Sequence, residues 1–284
     1  MAESKSEIIQ IDIASVLRER VPRYYRWMPR FVVRWLERLI HQDEINALLR
    51  KVGDRCNEEA AQIALDELGI TVHVEGLEHV APDHRYIFAS NHPLGGLDGL
   101  ALIATFGRIY NGNICFLIND LLMAVTPLRG VFLPVNKYGS QSRQAVTDIE
   151  QEYASNHQMF TFPAGLCSRQ KTAKAPVEDL RWNKSVVSLA VRSQRDVVPV
   201  FFEGQYSKWF YRCARWRERL GIKFNIEMVL LPHEMFKSRG QTFTIHVGEP
   251  VPHSSLDSRH ARDEAMRLRA MTYAMRPDNH SATK

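Results

Sequence analysis

The 284-residue sequence predicts an α/β domain with a mixed, largely parallel central sheet flanked by helices, preceded by an N-terminal amphipathic helical segment. Short apolar runs typical of buried strands alternate with longer amphipathic stretches typical of helices. Hydrophobic residues make up 45% of the chain and charged residues 24%, as in ordinary globular proteins. We divide the chain into a basic helical segment (1–55), one main domain (56–276) and a polar tail (277–284).

The alternation begins near residue 57 and continues almost to the end of the chain. Apolar runs predict strands at residues 71–74, 85–89, 113–118, 131–135, 159–162, 197–202 and 242–247. Helical periodicity predicts helices at residues 57–68, 97–106, 142–154, 184–195 and 258–275. No internal repeat or low-complexity linker interrupts the pattern, which favours a single main domain.

Residues 16–50 differ from the rest because arginine and aromatic residues are concentrated there. A helix is predicted from Pro29 onward. Its apolar residues recur at helical spacing: Phe31, Val32, Trp35, Leu36 and Leu39. Its charged residues fall on the other side: Arg30, Arg34, Glu37 and Arg38. This pattern is typical of a helix in the membrane interface, but it also suits a helix that packs on its own domain.

The net charge of +5 permits an acidic partner such as nucleic acid, an anionic membrane or an acidic carrier protein. No helix-turn-helix, RNP-type or zinc signature accompanies the charge, so no nucleic-acid partner is expected. The four cysteines form no C-x-x-C pair, and neither a metal site nor a disulfide framework is predicted. The N-terminus does not resemble a signal peptide, and the apolar stretches are too short or too interrupted to span a membrane.

The first candidate site lies where a predicted strand runs into Asn91, His92, Gly95, Gly96 and Asp98. A histidine can remove a proton from a hydroxyl, and a nearby aspartate can hold its tautomer. The two glycines allow the chain to turn back and leave room for a substrate. The alternative interpretation is that Asp98 only caps a helix and His92 bonds a backbone carbonyl. For the whole motif on a strand-to-helix loop, we favour His92 as catalytic base, Asp98 as its orienting acid, and the neighbouring residues as substrate contacts.

A second apolar strand ends in a Pro-x-Gly turn that carries basic and hydroxyl groups. Its candidate binding residues are Pro163, Gly165, Ser168, Arg169 and Lys171. Such a turn suits a phosphate or a carboxylate. Taken alone it would be interpreted as a solvated loop. A position beside the His92 loop, at the carboxyl edge of the same sheet, makes a binding role more plausible.

Four blocks in this order resemble the glycerolipid acyltransferases, the family of bacterial 1-acylglycerol-3-phosphate O-acyltransferase. The blocks lie within residues 70–252: Asn91-His92…Asp98, Gly130-Val131-Phe132-Leu133, Phe162-Pro163-x-Gly165 and Val198-Pro199-Val200. The resemblance implies transfer of an acyl group from a coenzyme A or acyl-carrier-protein thioester to a lipid hydroxyl. It also implies His92 as the base, Asp98 as its partner, no metal or cofactor, and a peripheral position on the cytoplasmic face of the inner membrane.

The chain departs from the family pattern in the spacing of its first block. Five residues (93–97) separate His92 from Asp98, whereas the family has four. The turn at Gly95 and Gly96 must therefore absorb one extra residue. If it cannot, the chain is better explained as a catalytically silent membrane-surface protein that has kept the fold. A hydrogen bond between the two side chains would distinguish these cases.

The other departures concern the acceptor. Ala164 and Cys167 replace a glutamate and an arginine of the third block, and Arg169 is displaced by two positions. The arginine of the second block is missing, and Asn136 and Lys137 lie in its place, which makes Lys137 a further candidate contact. The acceptor is therefore expected to be lysophosphatidic acid or, alternatively, the hydroxyl of an N-acyl aminolipid of the ornithine- or glycine-lipid type.

The sequence also offers candidates for stabilising the transition state and for binding partners. The tetrahedral oxyanion requires hydrogen-bond donors, and backbone N–H groups near Gly95, Gly96 or Gly165 are candidates. The basic N-terminal segment and the net charge are expected to bring the protein to an anionic membrane surface or to an acidic acyl-carrier protein.

Overall fold

A computed structural model describes residues 10–135, 143–222 and 226–277. Asn136, Lys137 and nearly all of the predicted tail lie outside these residues. Seven strands form one mixed sheet: β1 (Thr71–Glu75), β2 (Tyr86–Ser90), β3 (Ile114–Asn119), β4 (Phe132–Val135), β5 (Gln158–Thr161), β6 (Asp196–Phe202) and β7 (Thr242–Val247). The order is β1-β7-β6-β2-β5-β3-β4, and among the neighbours only β6 and β7 are antiparallel. The predicted fold class is confirmed.

Helices cover both faces of the sheet and form the N-terminal segment. Their bounds are α1 (Ile13–Arg20), α2 (Pro22–Tyr25), α3 (Arg30–Leu39), α4 (Gln42–Val52), α5 (Asn57–Leu68), α6 (Gly96–Ile109), α7 (Arg143–Ala154), α8 (Ser185–Ser193), α9 (Lys208–Arg219), α10 (Leu231–Lys237) and α11 (Ala261–Ala274). The predicted helices of the main domain are all present, with ends displaced by at most three residues. Helices α9 and α10 were not predicted.

Strand β2 lies in the middle of the sheet, and all five of its residues are buried. Phe88 faces a layer of rings and stacks on Phe160 at a centroid distance of 4.6 Å, while Ile87 faces the opposite layer beneath α8 and α11. Burial on both faces explains the unbroken apolar sequence of this strand. Because β2 is parallel to β5 and β6, the loops that follow all three strands emerge at one edge of the sheet.

The opposite, amino-terminal edge of the sheet is held by Arg195, whose side chain is fully buried. Its guanidinium donates to the carbonyls of Tyr86, Tyr153, Ser155 and His157 at 2.6–3.4 Å. Burial lowers the pKa of Arg195 to about 10, so the group still carries its charge at neutral pH. This arginine therefore joins the starts of β2, β5 and β6.

The N-terminal segment packs only partly on the main domain. Val33 of α3 is buried, whereas Phe31 and Trp35 on the same helix are exposed, as is Trp27 just before it. Pro29 precedes α3 as its N-cap and is not its first helical residue. His41, between α3 and α4, stacks on Phe236 of α10 at 4.7 Å. Among the described residues, no helix combines the length and apolarity needed to cross a bilayer.

Candidate active site

The loop after β2 brings His92 and Asp98 into contact. The Nδ1 atom of His92 lies 2.9 Å from Oδ1 of Asp98, and the second carboxylate oxygen accepts the N–H of Leu94 at 2.8 Å. Asp98 has no solvent-exposed surface. Both of its oxygens are engaged, so the carboxylate fixes the imidazole and the loop backbone together. The extra residue between the two side chains does not keep them apart.

Gly95 makes this closure possible. Its φ of 55° lies in the left-handed region, which side chains other than glycine rarely adopt. A Cβ atom at this position would lie 2.9 Å from Oη of Tyr206 and 3.1 Å from Sγ of Cys167. Both the positive φ angle and the lack of room for a Cβ atom therefore require glycine at this position. Gly96 begins α6, is exposed and has open space around it.

The imidazole of His92 lies between Asp98 and an aromatic ring. It stacks on Phe162 at a centroid distance of 4.0 Å, and 18% of the side chain remains exposed. Burial lowers the pKa of His92, but the charge and hydrogen bond of Asp98, with a further contribution from Asp179, raise it by more. The net pKa is above the usual 6.5. If Nδ1–H donates to Asp98, the free Nε2 atom is the basic one.

Asp179 joins the loop after β5, which carries Ser168, to the loop after β2, which carries His92. Its Oδ1 atom accepts the N–H of His92 at 3.1 Å and the hydroxyl of Ser168 at 2.6 Å, and its Oδ2 atom accepts the indole N–H of Trp182 at 2.8 Å. The N–H of Ser168 in turn donates to the carbonyl of His92 at 2.8 Å. Sequence reasoning missed Asp179, because an aspartate in a polar loop carries no distinguishing spacing.

Arg169 is buried in a cluster of charges beside this junction. Its Nη2 atom donates to Glu227 at 3.2 Å, and Glu227 also lies 2.9 Å from Nε of Arg217. Two arginines thus share one carboxylate. The Nη1 atom of Arg169 is buried and has no hydrogen-bond partner in the described part of the chain. A buried guanidinium with a spare donor is suited to a negatively charged group of a substrate.

The other predicted contacts lie in different surroundings. The amide of Asn91 is buried and forms two hydrogen bonds with the backbone of Phe202, which tie the end of β2 to β6. Pro163 is buried and accepts a backbone N–H from Asn183. Gly165 is exposed, and its N–H donates to Phe162. Lys171 is exposed farther along the loop. The structure therefore brings Ser168 and Arg169, but not Lys171, close to the His92 backbone.

A bound metal ion and a reactive thiol are two other possible sources of chemistry in such a site. Over ranges 10–135, 143–222 and 226–277, no three His, Cys, Asp or Glu side chains cluster so as to hold a metal ion. The thiol of Cys167 is buried beside Gly95, and burial raises its pKa to about 12, so it is protonated at neutral pH. The hydrogen-bonded His92–Asp98 pair at this edge is suited to proton transfer.

The chain belongs to a family of acyltransferases. The family model described as Acyltransferase matches residues 15–281, which is nearly the whole chain. The sequence resemblance is thereby confirmed, and the protein is an acyltransferase.

Two bacterial relatives are similar over most of their length. The lyso-glycine lipid O-acyltransferase of Bacteroides thetaiotaomicron is 41% identical over 247 residues, covering 87% of this chain and 90% of the relative. The enzyme of the same name from Phocaeicola vulgatus is 41% identical over 250 residues, covering 88% of this chain and 89% of the relative. Among solved structures, 1-acyl-sn-glycerophosphate (LPA) acyltransferase PlsC from Thermotoga maritima matches with a TM-score of 0.46 and 15% identity, covering 84% of this chain and 93% of that one.

Proposed function

We propose that the protein transfers an acyl chain from a thioester donor to the hydroxyl of an N-acyl aminolipid of the glycine-lipid type. The observation that carries the proposal is the hydrogen-bonded His92–Asp98 pair at the end of β2, in a chain of the Acyltransferase family. The acceptor follows from the relatives, which are named for a lyso-glycine lipid. It also agrees with the altered positions, Ala164 and Cys167, in the third family block.

Proton removal is the first step of the proposed reaction. Nδ1–H of His92 donates to Asp98, which leaves Nε2 free to accept the proton of the acceptor hydroxyl. The hydroxyl oxygen attacks the thioester carbonyl, and the imidazolium that forms is stabilised by the Asp98 carboxylate. The raised pKa of His92 makes it a stronger base than a free histidine.

Collapse of the tetrahedral intermediate completes the transfer. The carbon–sulfur bond breaks, the new ester bond remains, and the departing thiolate takes the proton from His92. The donor leaves as a free thiol, either coenzyme A or an acyl-carrier protein, and no cofactor is consumed. We assign stabilisation of the oxyanion to the N–H groups of Gly95 and Gly96 at the start of α6. Gly165 is a weaker candidate because its N–H already donates to Phe162.

Arg169 provides the proposed contact for the headgroup of the acceptor. A glycine lipid ends in a carboxylate, and the spare Nη1 donor of Arg169 can hold one oxygen of such a group. Glu227 and Arg217 keep the guanidinium in place from the other side. Ser168, which bonds Asp179, links this contact to the backbone of His92.

The N-terminal segment (1–55) is proposed to dock the acyltransferase domain (56–276) on an anionic membrane surface. Tyr24, Trp27, Phe31 and Trp35 are all more than half exposed, which core packing does not explain. Arg30, Arg34 and Arg38 are exposed beside them. Exposed aromatic rings next to arginines suit the interface of a membrane that contains anionic lipid.

Lysophosphatidic acid is the second candidate acceptor. It is favoured by the order of the four sequence blocks, which follows that of the 1-acylglycerol-3-phosphate acyltransferases. A phosphate would use the same spare donor of Arg169. The two acceptors differ in headgroup but require the same chemistry at His92.

An acyl-transfer assay tests the proposal. The protein, dispersed in detergent, receives labelled acyl-carrier protein or acyl-CoA together with N-(3-hydroxyacyl)glycine, its carboxamide, N-acylglycine without the hydroxyl, or lysophosphatidic acid. We expect product from the first acceptor and none from the compound that lacks the hydroxyl. His92→Ala should reduce the rate about 10³-fold. Equal product from this variant and the wild type would contradict the mechanism. Product from lysophosphatidic acid alone would contradict the proposed acceptor.

A further inference from the structure

Helix α9 (Lys208–Arg219) presents a row of exposed apolar side chains to solvent. Trp209 is 52% exposed, Trp216 63% and Leu220, just after the helix, 72%. Spacings of seven and four residues place all three on one side of a helix with 3.6 residues per turn. The row is therefore a continuous stripe along the outer face of α9.

The opposite face of α9 attaches the helix to the domain. Phe210, Tyr211 and Ala214 are buried, and the ring of Phe210 packs on Tyr206 at a centroid distance of 4.5 Å. The start of the helix is fixed by Ser207, which caps it and bonds Glu234. The inner face of α9 supplies the packing on the domain, whereas more than half of each tryptophan on the outer face is exposed.

Basic residues follow one side of the apolar stripe. By helical geometry these are Lys208, Arg212 and Arg219, which are exposed, and Arg215, which is partly buried and donates to Gln170. The guanidinium of Arg212 lies 4.7 Å from the centre of the Trp209 ring, so charge and aromatic surface are presented together. The acid within the helix, Glu218, lies on another side. An apolar stripe bordered by cations is complementary to an anionic lipid surface.

The position of α9 connects this stripe to the active-site edge of the sheet. The helix follows the carboxyl end of β6, which is parallel to β2, and Tyr206 just before it contacts Gly95. The segment after α9 leads to α10, where Phe236 stacks on His41 of the N-terminal segment. The chain that flanks the stripe therefore lies beside the His92 loop on the side of Tyr206 and packs on the N-terminal segment on the side of Phe236.

We propose that the outer face of α9 is a second membrane-binding surface, separate from the N-terminal segment. Trp209 and Trp216 lie at the boundary between headgroups and acyl chains, where tryptophan is favoured, and the exposed Lys208, Arg212 and Arg219 contact anionic headgroups. The consequence is that the membrane is held near the carboxyl edge of the sheet, where His92 lies. The inference rests on the proposed function only for the idea that the acceptor comes from a membrane.

Fluorescence quenching by brominated lipid tests this contact directly. The chain has five tryptophans, and Trp182 is buried. In W27F/W35F, the exposed tryptophans are Trp209 and Trp216, and vesicles of bromo-phosphatidylcholine and phosphatidylglycerol should quench their emission. The matched control, W27F/W35F/W209F/W216F, retains Trp182 and should show no quenching. Quenching of the first variant no greater than that of the control overturns the proposal.

Vesicle sedimentation gives an independent measure. W209S/W216S should bind vesicles at least about tenfold more weakly, because the stripe loses its apolar surface. The control Ile109→Ser changes an exposed apolar residue at the far end of α6 and should bind like the wild type. If W209S/W216S binds vesicles as the wild type does but binds an acyl-carrier protein more weakly, the stripe is a binding surface for the donor protein. This result would overturn the proposed lipid contact. Acyl transfer in detergent should be equal in W209S/W216S, Ile109→Ser and the wild type, so a failed acyl-transfer assay would contradict the proposed function and not this surface.

Discussion

Two arginines are buried at opposite edges of the sheet, and they use their hydrogen-bond donors differently. At the amino-terminal edge, Arg195 donates to four backbone carbonyls. At the carboxyl edge, Arg169 shares Glu227 with Arg217 and keeps Nη1 without a partner in the described structure. Each nitrogen of the Arg195 guanidinium donates to the backbone and so stabilises the fold, whereas the Arg169 guanidinium keeps a nitrogen without a partner and has capacity for a ligand.

Two His–Asp pairs also lie at opposite edges of the sheet, and we assign a structural role to one and a catalytic role to the other. His253 and Asp196 are 2.9 Å apart at the amino-terminal edge, the same separation as His92 and Asp98. Asp196 also accepts hydrogen bonds from the side chain of His84 and from the backbone N–H of His253. It therefore joins the start of β6 to the residues before β2 and to the segment after β7. The geometry of a pair is therefore not sufficient to indicate catalysis. The edge of the sheet at which it lies and the loop that carries it distinguish the two.

The largest expected effect is on the rate, at the carboxyl edge. Asp98→Asn should reduce kcat about 10³-fold, because the imidazole loses the carboxylate that fixes its tautomer and stabilises its charge. The matched control, Asp196→Asn, breaks a pair of equal length and should retain the wild-type rate. Steady-state kinetics on purified, folded protein measures both. Equal losses in the two variants would contradict the distinction between the edges.

The largest expected effect on stability is at the amino-terminal edge. Arg195→Met leaves four carbonyls without their donor and should lower the free energy of unfolding by about 3–5 kcal/mol. Thermal unfolding followed by circular dichroism should show a decrease in Tm of about 10 °C. The rate per folded molecule should stay the same. A variant as stable as the wild type would show that these hydrogen bonds contribute little.

A smaller effect on acceptor recognition is expected at Arg169. Arg169→Gln should raise KM for a carboxylate acceptor about 10- to 100-fold, because a charge-assisted hydrogen bond is lost. KM for the carboxamide analogue should change little, and the stability should be near that of the wild type because Glu227 still faces Arg217. If both acceptors are affected equally, Arg169 supports the loop and does not bind the headgroup.

The smallest expected effect is a displacement of the pH profile. Asp98 raises the pKa of His92 above 6.5, so the neutral, basic form is lost as the pH falls through this raised value. The kcat/KM of the wild type should therefore decrease on the acid side with an inflection above pH 6.5. In Asp98→Asn, burial still lowers the pKa of His92 while the carboxylate no longer raises it, so the inflection should move to lower pH. An inflection that does not move would show that another group controls the profile.

Much of the fold was predictable because local patterns agree with the final architecture. The helix predicted for residues 57–68 coincides with α5, and β7 coincides with its predicted range. Buried parallel strands have unbroken apolar sequences, and these are visible without any structure. Helix α9 is not predicted because its cationic and aromatic residues obscure the inner apolar stripe, and α10 is not predicted because seven residues with Pro232 near the start are too few to show helical periodicity. The antiparallel direction of β7 depends on a long connection that local sequence does not encode.

The site was predictable only where neighbours in sequence are neighbours in space. His92, Asp98 and the glycine turn belong to one loop and were found together. Asp179 and Glu227 reach the site from distant segments, and their roles depend on side-chain contacts that spacing cannot reveal. The interpretation of α3 also needed the structure, since exposure of Phe31 and Trp35 argues against simple packing on the domain.

The turn at Gly95 shows that the number of residues in a motif measures contour length and not separation. One added residue lengthens the backbone path from histidine to aspartate. The positive φ at Gly95 turns the chain back, so that Nδ1 of His92 still lies 2.9 Å from Oδ1 of Asp98. A search template that fixes the count at four would pass over this chain. A template that allows a glycine to absorb the surplus would retrieve it, together with any other chain that closes the same pair by a longer route.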